Sequence, residues 1–195
     1  MKKLTRILAI ALALIMLLGA TSCSSMKKEE TFTAKEMLTS AEENDSEKKN
    51  YTVMSITLNG NFKKHKALAS IGNYSALFDS SDCKVLVINR DIEDYKYDAS
   101  MTTEEYANIQ ASGADYSYPV EVDATTGLVS YRYNTKLFGA KLTGICYVYR
   151  YNGDFWLVDM VCKHEKYDEM SEYFKEWAKS VSFSDVPMTE YILED

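Results

Sequence analysis

Histidine is almost missing from this chain: His65 and His164 are the only two in 195 residues. Cysteine is sparse too, with four residues, none in a CxxC pair. Zinc sites draw on clustered Cys and His at short spacings, so no metal is expected. The nucleophile signatures GxSxG and HExxH do not occur, and no glycine-rich loop is present to cradle a phosphate. The sequence therefore offers no catalytic constellation and no cofactor site, and a non-enzyme is expected. Basic charge is also short, with 22 Lys and Arg against 29 Asp and Glu, a net charge of −7. Phosphate backbones are held by Lys and Arg, so no nucleic-acid partner is expected.

What the chain does have comes first. Met1-Lys2-Lys3-Leu4-Thr5-Arg6 is a basic lead, and Ile7 to Ala20 carries no charge at all. As a helix that run rises about 21 Å, short of the roughly 30 Å of a hydrocarbon core. It fits the apolar region of an export signal better than a membrane span. Ala20-Thr21-Ser22 then closes on Cys23. A basic lead, an apolar run, small residues and a cysteine form the order of a bacterial lipoprotein signal. The reading is a cleaved signal peptide over 1–22, with Cys23 as the diacylglyceryl attachment point. Two acyl chains anchor stably where one is marginal. The domain would then sit on the outer, extracytoplasmic face of the cell membrane, held by lipid, with an envelope protein as the expected partner. Losing Lys2, Lys3 and Arg6 makes the remainder still more acidic.

Residues 23–50 are rich in Lys, Glu, Ser and Thr and read as the lipidated N-terminus and a polar tether. Thr33 with Glu36 could cap a short helix over about 34–44. From Tyr51 the pattern turns to strands: 51–58, 74–78 and a near-continuous apolar run at 83–89, which suits a strand covered on both faces. Thr102 followed by Glu105 is a capping box opening a helix that ends at Gly113, with Tyr106 and Ile109 facing inward. Strands follow at 120–122, 128–134, 144–151 and 155–163. Asn152-Gly153 between the last two reads as a two-residue type I′ turn. It sets Tyr151 against Asp154 and Cys146 against Asp159, and it puts Cys146 and Cys162 on opposite faces. Cys83, Cys146 and Cys162 are read as small buried hydrophobes. Tyr167, Met170, Phe174, Trp177 and Val181 recur at three and four residues and mark a closing helix, and Pro187 bars its continuation. Short connections favour antiparallel pairing. The fold class is α+β: one central antiparallel sheet flanked by helices, in a single domain over 51–184 with a tail over 185–195.

The pattern Met54-Ser55-Ile56-Thr57-Leu58, Tyr74 to Phe78, Val85-Leu86-Val87, Met101-Thr102-Thr103-Glu104-Glu105-Tyr106-Ala107 and Phe155-Trp156-Leu157-Val158, closed by Phe174 and Trp177 to Phe183, resembles the small PsbP-like lipoproteins of clostridia and related Gram-positive bacteria. The resemblance covers roughly residues 51–184. It implies the Mog/PsbP type of α/β/α sandwich. It implies no ligand set, because roles within that fold share no chemistry.

Three candidate sites remain. Tyrosine is abundant, at fifteen residues, and Tyr131, Tyr133, Tyr147, Tyr149 and Trp156 form the candidate surface for a partner or, alternatively, for a small solute or glycan. The competing reading is that tyrosine simply suits sheet surfaces and seams. Asp91, Glu93, Asp94 and Asp98 form a dense carboxylate cluster that lacks the glycine and distal glutamate of a calcium loop, and reads as a solvated acidic loop. A hydrolase built on His164 and a nearby carboxylate has no motif behind it; His164 reads as a solvated helix start and His65 as plain surface.

Overall fold

The computed structural model describes residues 29–37, 50–59, 62–65, 74–90, 98–114 and 117–187. The export signal, Cys23 and residues 91–97 and 188–195 lie outside the described residues. The elements in order are β1 (Glu29–Met37), β2 (Asn50–Asn59), β3 (Lys63–Lys64), β4 (Ala76–Asp79), β5 (Cys83–Arg90), α1 (Thr103–Ser112), β6 (Glu121–Val122), β7 (Val129–Leu137), β8 (Ala140–Tyr151), β9 (Asp154–Lys163), α2 (Tyr167–Lys179) and β10 (Ser182–Pro187). A single 3-10 turn, His164–Lys166, leads into α2. Among the described residues no helix is long and apolar enough to cross a membrane.

The domain is α+β, and among the described residues every strand pair is antiparallel. The main sheet has seven strands in the order β3-β4-β5-β9-β8-β7-β6, and a smaller sheet has the order β1-β2-β10. The β8–β9 hairpin sets the register. Asn152 and Gly153 both have positive φ, 51° and 89°, as a type I′ turn demands. Tyr151 pairs with Asp154 and Cys146 with Asp159, as the dipeptide predicts.

Alternation then divides the side chains into two cores. On one face Leu86, Val129, Cys146, Val148, Phe155, Leu157 and Val161 pack under α1. On the other, Val85, Val87, Tyr147, Trp156, Val158 and Met160 pack against α2 and the inner face of the small sheet, from which Met54, Ile56 and Leu58 project. So α1 forms one outer layer, while α2 and the three-stranded sheet share the other.

Three expectations fail here. Residues 29–37 are a strand paired along its length with β2, where a tether and a helix over about 34–44 were expected. The strand lies at the edge of its sheet, buries Ala34, half-buries Phe32 and exposes Glu29, Glu30 and Thr31, as an edge strand with one face toward solvent does. The folded domain therefore includes residues 29–37, and β10 carries it to Pro187, past the expected boundary at 184. Ile109 is 40% exposed; α1 instead buries Tyr106, Ala107 and Ala111. The two alanines let the helix lie close to the sheet, and the Tyr106 ring stacks on Phe155 at 4.0 Å between centroids.

Both described helices are pinned at defined ends. The capping box of α1 is complete: Glu105 N donates to Thr102 Oγ1 at 3.2 Å and Thr102 N donates to Glu105 Oε2 at 2.8 Å. Such a cap contributes about 1 kcal/mol. At the far end of α2, Thr57 N donates to Ser180 Oγ at 2.9 Å and Trp177 Nε1 to Asn59 Oδ1 at 2.9 Å. Tyr149 Oη donates to Ala178 O at 2.8 Å. These bonds tie the closing helix to both sheets.

Candidate functional site

The five aromatic residues expected to form a binding surface do not form one. Tyr131, Tyr133, Tyr147 and Trp156 are buried and Tyr149 is half-buried. They are also divided between faces: Tyr131 and Tyr133 lie in the core under α1, while Tyr147, Tyr149 and Trp156 lie toward α2. The sheet is covered on both sides, so strand tyrosines that alternation alone would leave for solvent become seam residues.

Beneath α1 those tyrosines surround a buried carboxylate. Asp159 is 5% exposed, and Tyr133 Oη lies 2.9 and 2.8 Å from its two oxygens, donating its proton to them. Burial pushes the Asp159 carboxyl up to about 7, and the Tyr133 hydrogen bond opposes the rise. Its cross-strand neighbour Cys146 has its thiol held well above the ordinary range by burial and then by the Asp159 charge. Gly144 makes the arrangement possible. The Tyr133 ring lies over its Cα, and a Cβ there would fall 2.4 Å from Tyr133 Cζ. This cluster can take up a proton near neutral pH, but it is sealed beneath α1 and the sheet.

The surface offers two other features. The β7–β8 turn carries Phe138 at its tip, 83% exposed. Phe138 and Gly139 have φ of 46° and 83°, again a two-residue turn with both central residues left-handed. Asparagine suits the first of those positions and a bulky aromatic does not, as the Asn152-Gly153 turn shows by contrast. Just inside the tip, Lys136 and Lys141 are direct cross-strand partners, a like-charge pairing that weakens a hairpin. Among the described residues no carboxylate forms an ion pair with either lysine. Exposed ring, strained backbone and facing cations all oppose hairpin stability at one spot. Departures from local preference of this kind mark functional positions.

A polar ledge lies along β7. The Arg132 guanidinium sits 3.8 Å from the centroid of Tyr118 and 5.4 Å from that of Tyr167, and no carboxylate among the described residues pairs with it. Beside it, Thr143 Oγ1 donates to Asn134 Oδ1 at 2.8 Å and lies 2.8 Å from His164 Nδ1. Asn134 Nδ2 in turn donates to Tyr118 Oη at 3.2 Å. A hydroxyl that spends its proton on Asn134 must accept from His164, which assigns the proton to Nδ1. His164 is therefore oriented by a threonine, and among the described residues no carboxylate is hydrogen-bonded to it as a general base would require.

The remaining candidates are placed as follows. His65 is half-buried, with Nε2 3.4 Å from Asp79 Oδ2, and Asp79 also pairs with the buried Lys84; it is not the plain surface residue expected. Of the acidic cluster only Asp98 is described. Ser100 N and Oγ both donate to Asp98 Oδ1 at 2.8 Å, which holds that carboxyl below its ordinary range. Among the described residues no group of three or more His, Cys, Asp or Glu is placed to hold a metal. The sequence marks Asp159 only as the cross-strand partner of Cys146, and it gives no role to Gly144, Phe138 or Arg132. A phenylalanine before glycine at a hairpin tip was the one local signal available for any of them.

An antiparallel α+β domain with a two-faced sheet, a buried proton-binding cluster and an apolar hairpin tip is the class these observations define. No family model matches the chain, and no curated protein matches it. Among solved structures it is similar to the solution structure of cyanobacterial PsbP (CyanoP) from Synechocystis sp. PCC 6803, with 13% identity over 86% of this chain and 99% of that one and a TM-score of 0.48. It is also similar to LpqN, involved in cell envelope biogenesis of Mycobacterium tuberculosis, with 7% identity over 78% of this chain and 91% of that one and a TM-score of 0.44. At such values neither likeness carries an argument about this chain.

Proposed function

We propose that this protein is a lipid-anchored, extracytoplasmic accessory module with a PsbP-like domain, which docks on an envelope protein through the Phe138 hairpin tip. The observation that carries the reading is that tip: an aromatic ring 83% exposed on a left-handed backbone between facing lysines. The lipid on Cys23 supplies the address, and the domain needs no catalytic machinery to do its work. The test is paired. Cys23→Ser should move the protein from the membrane fraction to the soluble one with the fold intact. Phe138→Asn should abolish the specific crosslinked complex while leaving anchoring unchanged. An unchanged set of complexes in the Phe138→Asn strain would overturn the docking reading.

Capture of a small solute or glycan remains a second reading, now supported by the Arg132 ledge rather than the buried tyrosines. A planar guanidinium held against the Tyr118 ring and near that of Tyr167 is preset for a planar acceptor such as a carboxylate. A ligand of that class should raise the thermal midpoint of the wild type and not of Arg132→Lys; no shift with an acidic sugar panel would remove the reading.

A further inference from the structure

Cys83 and Cys162 are direct cross-strand partners in β5 and β9. Both are buried, in the core facing α2, and both are free thiols in this structure. Two turns independently fix what kind of pair they make. At the β4–β5 turn Ser80 N donates to Cys83 O at 3.0 Å. In an antiparallel strand the N–H and C=O of one residue point to the same side, so Cys83 turns its polar backbone toward β4 and away from β9. From the other direction, the two-residue turn at Asn152-Gly153 makes Tyr151–Asp154 a hydrogen-bonded pair. Every second pair along β8 and β9 repeats it, as far as Thr143–Cys162. Cys162 therefore turns its polar backbone toward β8 and away from β5.

Both counts make Cys83–Cys162 a non-hydrogen-bonded pair. In such a pair the Cα atoms lie about 4.5 Å apart and the side chains approach most closely. That separation is within the disulfide range of roughly 4.4–6.8 Å. Cys146 is excluded, because it faces the opposite core beside Asp159.

We propose that Cys83 and Cys162 form a cross-strand disulfide when the chain folds in the presence of an external disulfide oxidant, leaving Cys146 as a free thiol. One thiolate attacks the external disulfide and releases one thiol; the second cysteine then attacks that mixed disulfide and releases the other. The two cysteines lose two protons and two electrons, and the external S–S bond becomes two thiols. The exchange belongs to folding. In the finished domain burial pushes the Cys162 thiol up to about 12 and moves Cys83 the same way, so the folded pair presents little thiolate. The Ser80–Asp82 turn and the 3-10 turn then close the end of the sheet, joined by Lys166 Nζ and Asp82 Oδ1 at 3.5 Å.

The bond would join the inner strands of the main sheet and does not depend on the docking reading. The test is on the full chain carrying Cys23→Ser in detergent, refolded in a glutathione redox buffer, alkylated under denaturing conditions and peptide-mapped. The expected result is a single linked pair, Cys83 with Cys162, an alkylated Cys146, and a thermal midpoint higher than that of the same protein after reduction. Cys162→Ala should show no midpoint difference between oxidising and reducing buffers. Free Cys83 and Cys162 after refolding, or pairing shared with Cys146, would overturn the inference and leave the envelope reading untouched.

Discussion

Asp159 gives the most quantitative prediction. Its carboxyl is pushed up to about 7 in the folded domain, against roughly 3.9 in an unfolded chain. Between those values the folded state keeps a proton that the unfolded state has lost. Stability then falls as pH rises through this window and levels off above about 7. Each unit is about 1.4 kcal/mol, so the three-unit gap amounts to about 4 kcal/mol at most. Asp159→Asn removes the titration while keeping an acceptor for Tyr133 Oη. Urea unfolding of both proteins at intervals from pH 4 to pH 8 isolates the term as a difference, because every other group titrates alike in the two. The substituted protein should gain on the wild type steadily from pH 4 to 7 and keep its advantage at pH 8. Parallel stability profiles would refute the buried-carboxyl account.

Other perturbations test neighbouring parts of the structure. Gly144→Ala forces the Tyr133 ring off its place over the glycine and should cost about 1–3 kcal/mol; it should also raise the Asp159 midpoint further, read as a shift of the same pH profile. Phe138→Asn relieves a left-handed aromatic residue and should raise stability by about 1 kcal/mol in denaturant unfolding, even as docking is lost. Thr102→Ala removes the cap of α1 and should cost about 1 kcal/mol in the same assay.

Local signals in the sequence were reliable where the structure is local. Asn152-Gly153 fixed a hairpin whose pairing runs from Tyr151–Asp154 through Cys146–Asp159. The Thr102–Glu105 box marked the start of α1, and the stripe of Met170, Phe174 and Trp177 is the buried face of α2. What stayed hidden depends on distant pairing. β2 joins β10 across more than a hundred residues, and no local pattern announces that it belongs to a second sheet. β1 was hidden for a related reason: an edge strand with a wet face looks like a polar linker. The tyrosines misled because each lies on a covered face, Tyr131 and Tyr133 under α1 and Tyr147 and Trp156 toward α2. The role of Asp159 escaped notice because a single carboxylate in an apolar run reads as a break in pattern; only Tyr133 and Gly144, from two other strands, show what holds it. The candidate surface therefore moved from the middle of the sheet to a turn, where Phe138 breaks a rule that its sister turn obeys.

The most direct test of the central claim is photocrosslinking in intact cells from position 138, with Thr125, an exposed loop residue, as the control position. The account predicts one discrete adduct to an envelope protein from position 138, absent from position 125 and absent when Cys23→Ser releases the domain from the membrane. The same adducts from both positions, or none from 138 in the anchored protein, would contradict it.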